Sequence, residues 1–311
     1  MNCVQMYKKI QNIKKDIVVY NEFTLGLLTL VKSHFCNMPG FLSYKISTIL
    51  HYFTRKFYKK SIAVWLLVVM VIFIEDKKYI PNKKIQPTDI NYQKILEEVI
   101  EQEIPKKYHN NTTPRAFIIG GQPGSGKTTV LTMLSKRYRK LLVINGDDYR
   151  IYHPNYLMFL QDSEETASEM TQSLVNYMVE GIINYCILHS ISFIVEGTMK
   201  TPAASSATIS RLQNTSFRIY VCPLACSYGI SLESTKTRYR NQKELIGCGR
   251  ITPQTSHDTA FYGIPSTLEY LSNMKEVYKF LLFKREDRGV KQVNEYQTFG
   301  NVVQDFNSLR I

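Results

Sequence analysis

Hydrophobic positions recur along this chain in three patterns, and each predicts a different kind of element. The first is unbroken: SIAVWLLVVMVIFI, from Ser61 to Ile74, lies between Arg55, Lys56, Lys59 and Lys60 on one side and Lys77 and Lys78 on the other. Fourteen helical residues reach about 21 Å, short of the roughly 30 Å of hydrocarbon that a spanning helix crosses. The run therefore reads as a short span, a helix lying at a membrane interface, or a buried segment. It begins too far into the chain to resemble a cleavable leader, and basic residues on both flanks give no orientation. Residues Tyr79 to Asp89, with Pro81 and Pro87 among Lys and Asn, read as a linker.

The second pattern has helical spacing. Ile90 to Ile104 sets Ile90, Ile95, Val99 and Ile100 against acidic positions, and HNNTTP at His109 to Pro114 ends it. Thr128 to Arg139 and a long stretch from Thr166 to Leu188 read the same way. The third pattern consists of short apolar runs bounded by polar turns: Arg115 to Ile119, Leu141 to Gly146, Phe193 to Thr198 and Phe217 to Leu224. Such runs, alternating with helices, predict an α/β fold: a parallel sheet with helices on both faces, preceded by a mostly helical N-terminal extension. The expected division is residues 1–84 and 85–311.

Length agrees, because 311 residues exceed one ordinary core and leave a remainder. Charge changes the picture more. The net +13 is concentrated in residues 1–84, where 14 Lys/Arg face 4 Asp/Glu, whereas residues 85–311 hold 25 against 22. The second part is nearly balanced, so no nucleic-acid partner is expected. The six cysteines are scattered without a CxxC pair, which points to a reduced, cytoplasmic compartment with membrane association left open through residues 61–74. Cys222 and Cys226 read as two half-buried thiols, not as a metal site.

The most specific chemical signal is GQPGSGKT at Gly121 to Thr128, set between a strand and a helix. Glycines there let successive backbone N–H groups surround phosphate oxygens, and the helix adds the positive end of its dipole. Gly121, Gln122, Pro123, Gly124, Ser125, Gly126, Lys127, Thr128 and Thr129 are the predicted ATP-binding residues. Lys127 suits the β- and γ-phosphates, and the Thr128 hydroxyl suits Mg²⁺. A phosphate cradle alone does not separate a kinase from a switch or a motor.

The discriminating residues are acids and arginines at the same sheet edge. Asp147 and Asp148 follow the second strand, and one of them can take the proton of an acceptor hydroxyl. Glu196 ends the third strand beside Gly197 and Thr198, in position to orient Mg²⁺ through water or to hold a sugar hydroxyl. Arg238 and Arg250 follow the fourth strand, where loops supply cations to a transferred phosphate or simply meet solvent. His257 and Asp258, adjacent on a predicted helix, are expected to serve structure, since neighbours on a helix do not face each other.

In their order these pieces resemble the zeta toxin family of kinases from toxin–antitoxin pairs, whose substrate is UDP-N-acetylglucosamine. The resemblance runs through Gly120 to Thr128, Asp147 to Asn155, Glu196 to Thr198, Arg238-Tyr239, Arg250 to Pro253, His257-Asp258 and Ile264-Pro265, covering about residues 90 to 290. It implies a P-loop kinase fold that uses ATP and Mg²⁺. It also implies that Asp147 is the base acting on the sugar 3′-hydroxyl, and that Lys127, Arg238 and Arg250 stabilise the transferring phosphate. Glu196, Thr198 and Glu180 would contact the sugar nucleotide, and a separate small helical antitoxin would be the partner. The first 84 residues have no counterpart in the family pattern.

Overall fold

The computed structural model describes residues 90–104, 108, 110–246, 249–287, 289–297 and 301–310, all within the unit running from Ile85 to Ile311. The apolar run at 61–74 lies outside the described residues. Among the described residues no helix is long and apolar enough to cross a membrane.

Helix α1 (Tyr92–Glu103) starts on Asn91, whose side chain accepts the Lys94 backbone N–H at 2.9 Å and so satisfies one free donor of the first turn. Strand β1 (Arg115–Gly120) leads into helix α2 (Lys127–Arg137), and β2 (Leu142–Asn145) leads into a 3-10 turn over Gly146–Tyr152. Helices α3 (Tyr156–Asp162), α4 (Ala167–Met170) and α5 (Gln172–Leu188) return the chain to β3 (Phe193–Gly197). Helix α6 (Pro202–Arg211), strand β4 (Arg218–Ala225) and helices α7 (Tyr228–Ile246) and α8 (Gln254–Ser272) follow. Strands β5 (Val277–Glu286) and β6 (Gly289–Tyr296) and helix α9 (Val302–Ser308) complete the described chain.

The six strands form one sheet in the order β2-β3-β1-β4-β5-β6. The first five are parallel, and β6 returns antiparallel on β5. The expected parallel sheet is therefore a mixed one with an antiparallel edge. Strand residues alternate between two cores, as a period of two requires. On β1, Ala116 and Ile118 pack with α1, α5, α6 and α8, whereas Phe117 and Ile119 pack with Val130 and Leu134 of α2. Helices thus cover both faces, and the loops after β1 and β3 leave toward opposite sides. That divergence opens a crevice at the carboxyl edge between them, where ligands of such sheets bind.

Two details depart from the periodicity. The long helix expected from Thr166 to Leu188 breaks at Thr171, because Arg150 donates to the Ser168 carbonyl that a continuous helix would offer to the Gln172 N–H. Helix α8 runs through Pro265, which has no N–H for the Phe261 carbonyl, and Arg310 just beyond α9 donates to that carbonyl instead.

Candidate active site

The strands end nearly flush. Gly120 is level with Gly197 on β3 and Pro223 on β4, and Glu196 is level with both Ile119 and Asn145. The turns that follow β1, β2 and β3 therefore open at one height, with neighbouring strands about 4.8 Å apart. Gly121–Thr128 arches off β1 through Gly124 (φ +78°) and Gly126 (φ +100°), both in the left-handed region that favours glycine. Any Cβ on Gly124 would also stand 2.0 Å from the Ser231 carbonyl oxygen, so α7 is packed directly on the loop.

Gln122 explains that packing. Its amide is buried and donates to the Cys226 carbonyl at 2.9 Å and to the Ser231 hydroxyl at 3.2 Å. Ser231 in turn meets His257 Nε2 at 2.9 Å, and the phenol of Tyr228 donates to Asp258 at 2.8 Å. His257 is buried in this network, which fits the structural role expected of it. Contrary to the helical-neighbour argument, however, its Nδ1 does reach Asp258, at 3.4 Å. Gln122 and His257 thus fasten α7 and α8 to the loop's underside. Cys222 and Cys226 are both fully buried, not half-buried, and burial pushes both thiols up. No group of three metal-binding side chains occurs among the described residues.

Lys127 opens α2, and its ammonium donates to the carbonyls of Gly121 and Gln122 at 2.8 and 3.2 Å. Burial pulls its pKa below the usual lysine value, while Glu196 and then Asp147 act in the opposite sense and Arg238 and Arg250 reinforce the lowering. Asp147, Arg238 and Arg250 recur around Glu196, which burial pushes up, with Lys127 the first of the opposing charges. Lys127, Asp147, Glu196, Arg238 and Arg250, from four separate stretches of chain, thus share one electrostatic neighbourhood. Thr198 follows β3 on the adjoining loop, and Thr128 and Thr129 present exposed hydroxyls on the first turn of α2.

Asp147 is held from two sides. Arg150, itself buried, donates Nε to Oδ1 at 3.2 Å and spends its remaining donors on Ser168, Thr171 and Gln172. Arg250 donates to Oδ2. Burial acts to raise the carboxyl pKa, but the two guanidiniums outweigh it and hold it below the ordinary carboxylate range. The side chain remains 42% exposed, so an acceptor can approach it. Asp148 is exposed and is not among the charges acting on Lys127 or Glu196.

Arg238 donates to the Thr252 hydroxyl at 2.8 Å, and burial followed by the repulsion of Arg250 lowers its pKa. Arg250 is aimed by its backbone: Gln242 accepts its N–H at 2.9 Å, and Glu164 accepts the Gly249 N–H, the Tyr239 phenol at 2.7 Å and Lys243. Glu180 is not brought into this cluster. It lies on α5 and pairs with Arg211, the last residue of α6, at 3.0 Å.

Three participants escaped the sequence reading. Arg150 was detectable as a base three residues after Asp147, a spacing that meets within a tight helical turn. Glu164 and Arg285 gave no local signal, because the groups they lie against, Tyr239 and Gly249 for the one and Gly126 for the other, are about eighty residues or more away in sequence.

Comparison with known proteins gives the chain a family. The toxin zeta of Streptococcus agalactiae is 27% identical over 214 residues, covering 66% of this chain and 73% of that one. Toxin PezT of Streptococcus pneumoniae is 26% identical over 187 residues, covering 60% and 74%. A chain from the PezAT chromosomal toxin–antitoxin system of S. pneumoniae has the same fold, with a TM-score of 0.61 at 21% identity over 72% of this chain and 88% of that one. The family model described as Zeta toxin matches residues 99–293, from within α1 to within β6 and across every strand of the sheet, and on that match the chain belongs to the Zeta toxin family.

Proposed function

We propose that this chain is an ATP-dependent phosphotransferase acting on the 3′-hydroxyl of UDP-N-acetylglucosamine, and that it is the toxin of a toxin–antitoxin pair. The observation that carries the reading is the shared neighbourhood of Lys127, Asp147, Glu196, Arg238 and Arg250 over the phosphate-binding loop. A switch or a motor has no use for an acceptor-side carboxylate held between cations. A transferase needs one.

The loop amides and Lys127 hold the β- and γ-phosphates of ATP. The acceptor oxygen attacks the γ-phosphorus, its proton passes to Asp147, and the electrons of the breaking P–O bond stay on the β-phosphate of the departing ADP. Arg238 and Arg250 stabilise the charge on the transferring group. For that, Arg250 turns from the Asp147 carboxylate toward the phosphate, which frees Oδ2 for the proton. Glu196 and Thr198 hold the sugar nucleotide. The donor set suits Mg²⁺: the Thr128 hydroxyl is a single oxygen ligand, too few to form a closed cage, and this ion keeps waters and binds through one or two protein oxygens plus phosphates. When bound it neutralises phosphate charge. The solved PezAT structure concerns a toxin–antitoxin system, and a separate antitoxin is the partner proposed here.

The test is to incubate the protein with ATP, Mg²⁺ and UDP-N-acetylglucosamine and to look by mass spectrometry for one added phosphate. Absence of that product while ATP still binds refutes the acceptor assignment. Asp147→Asn is expected to lower transfer by about a hundredfold to ten-thousandfold, the usual share of general-base catalysis, with ATP binding retained. Asp148→Asn is expected to remain active.

A further inference from the structure

Arg285 is a cation at this crevice that the reaction scheme above does not use. It stands on β5 two residues beyond Phe283 and four beyond Leu281, and both of those side chains enter the core under α2. The period of two therefore sends Arg285 to the α2 face of the sheet. There its guanidinium lies against the loop: a Cβ on Gly126 would meet Arg285 Nη1 at 2.5 Å and Val290, its β6 partner, at 3.4 Å. Its Nε is buried without a hydrogen-bond partner, and among the described residues no carboxylate pairs with the guanidinium. Arg285 is half-buried, and an unpaired guanidinium with a buried Nε gains from an anion or an aromatic plane that meets it.

Its position says which part of a ligand that is. Asp147 and Glu196 lie just beyond β2 and near the end of β3, on one side of β1, whereas Arg285 lies near the end of β5, two strands away on the other side. The charges acting on Lys127 are Glu196, Asp147, Arg238 and Arg250, while Arg285 acts on Cys226 beneath the loop. A triphosphate whose γ-phosphate faces Asp147 must run its α-phosphate and nucleoside away from the acceptor, past Gly126 and toward the β5–β6 hairpin. We propose that Arg285 is the donor-side contact of the nucleotide site, its guanidinium gripping the α-phosphate and nucleoside end of a purine nucleoside triphosphate with Val290 packing beside it. This rests on the phosphotransferase reading and adds to it the residue that distinguishes a nucleotide from a bare polyphosphate.

The experiment titrates full-length protein with a ribose-labelled fluorescent ATP and then displaces it with inorganic pyrophosphate, which occupies the loop but lacks the nucleoside end. Arg285→Gln is expected to weaken the fluorescent nucleotide by about ten- to a hundredfold, as loss of a charge-assisted contact does, with pyrophosphate affinity unchanged. Arg285→Lys should lose less. Lys127→Ala should weaken both probes. Unchanged nucleotide affinity in Arg285→Gln overturns the inference, and so does an equal loss for pyrophosphate, which would mean that Arg285 only shapes the loop. Pyrophosphate binding itself shows that Arg285→Gln has folded. If wild-type protein takes up neither probe, the phosphotransferase reading falls and this inference falls with it.

Discussion

Asp147 is an unusual residue to ask for proton abstraction, since both of its oxygens accept from guanidiniums and its pKa is held below the ordinary carboxylate range. A depressed pKa keeps the base ionised in mildly acidic solution, so activity should persist as pH falls and fail only below the usual carboxylate titration. Removing a cation that depresses it should move that acid limb upward. In Arg250→Gln the limb of the rate against pH is expected to shift to higher pH, alongside the loss of rate from a missing phosphate contact. An unchanged limb would mean that another group titrates. The candidates for this chemistry were legible because phosphate and proton transfer restrict residue types: Lys127 sits at a fixed step in a glycine loop, and Asp147 at a strand end. Asp147 is taken over Asp148 from the family resemblance, and Arg150 and Arg250 both reach Asp147.

At the level of elements, several junctions are set by single long-range hydrogen bonds. The Phe261 carbonyl, released by Pro265, is taken by Arg310, whose guanidinium also stacks on the Phe261 ring at 3.7 Å. Arg310→Ala should cost about 1–3 kcal/mol in denaturant unfolding, the penalty of a stranded part-buried carbonyl. In a Pro265→Ala background, residue 265 regains an N–H for that carbonyl, so the same substitution should cost less, and additive losses would refute the link. The β1, β2, β3 and β4 elements and the helices α1, α2 and α5 were visible from period and punctuation alone. The break at Thr171 was not, because Arg150, which causes it, arrives from a turn some twenty residues upstream. Strands β5 and β6 also went unread. No β6 residue is buried and its burial does not alternate, and an edge strand takes much of its definition from the neighbour it pairs with.

For the described unit as a whole, the crevice gathers groups from β1, β2, β3 and the segment after β4, so a bound triphosphate must tie these elements together. ATP with Mg²⁺ at a hundredfold excess over its Kd should raise the unfolding free energy by about 2.7 kcal/mol, seen as a higher Tm, and Lys127→Ala should abolish the rise. The sequence by itself determined the fold class, the phosphate loop and the residue types needed for transfer, because hydrophobic period and glycine-dependent backbone geometry are local properties. Only the tertiary structure decided which of those residues meet. It set Lys127, Asp147, Glu196, Arg238 and Arg250 in one neighbourhood and left Glu180 on Arg211. It also set Arg285 against Gly126 of the loop. Sheet order and strand register fix those proximities, and both are properties of pairings between residues far apart in the chain.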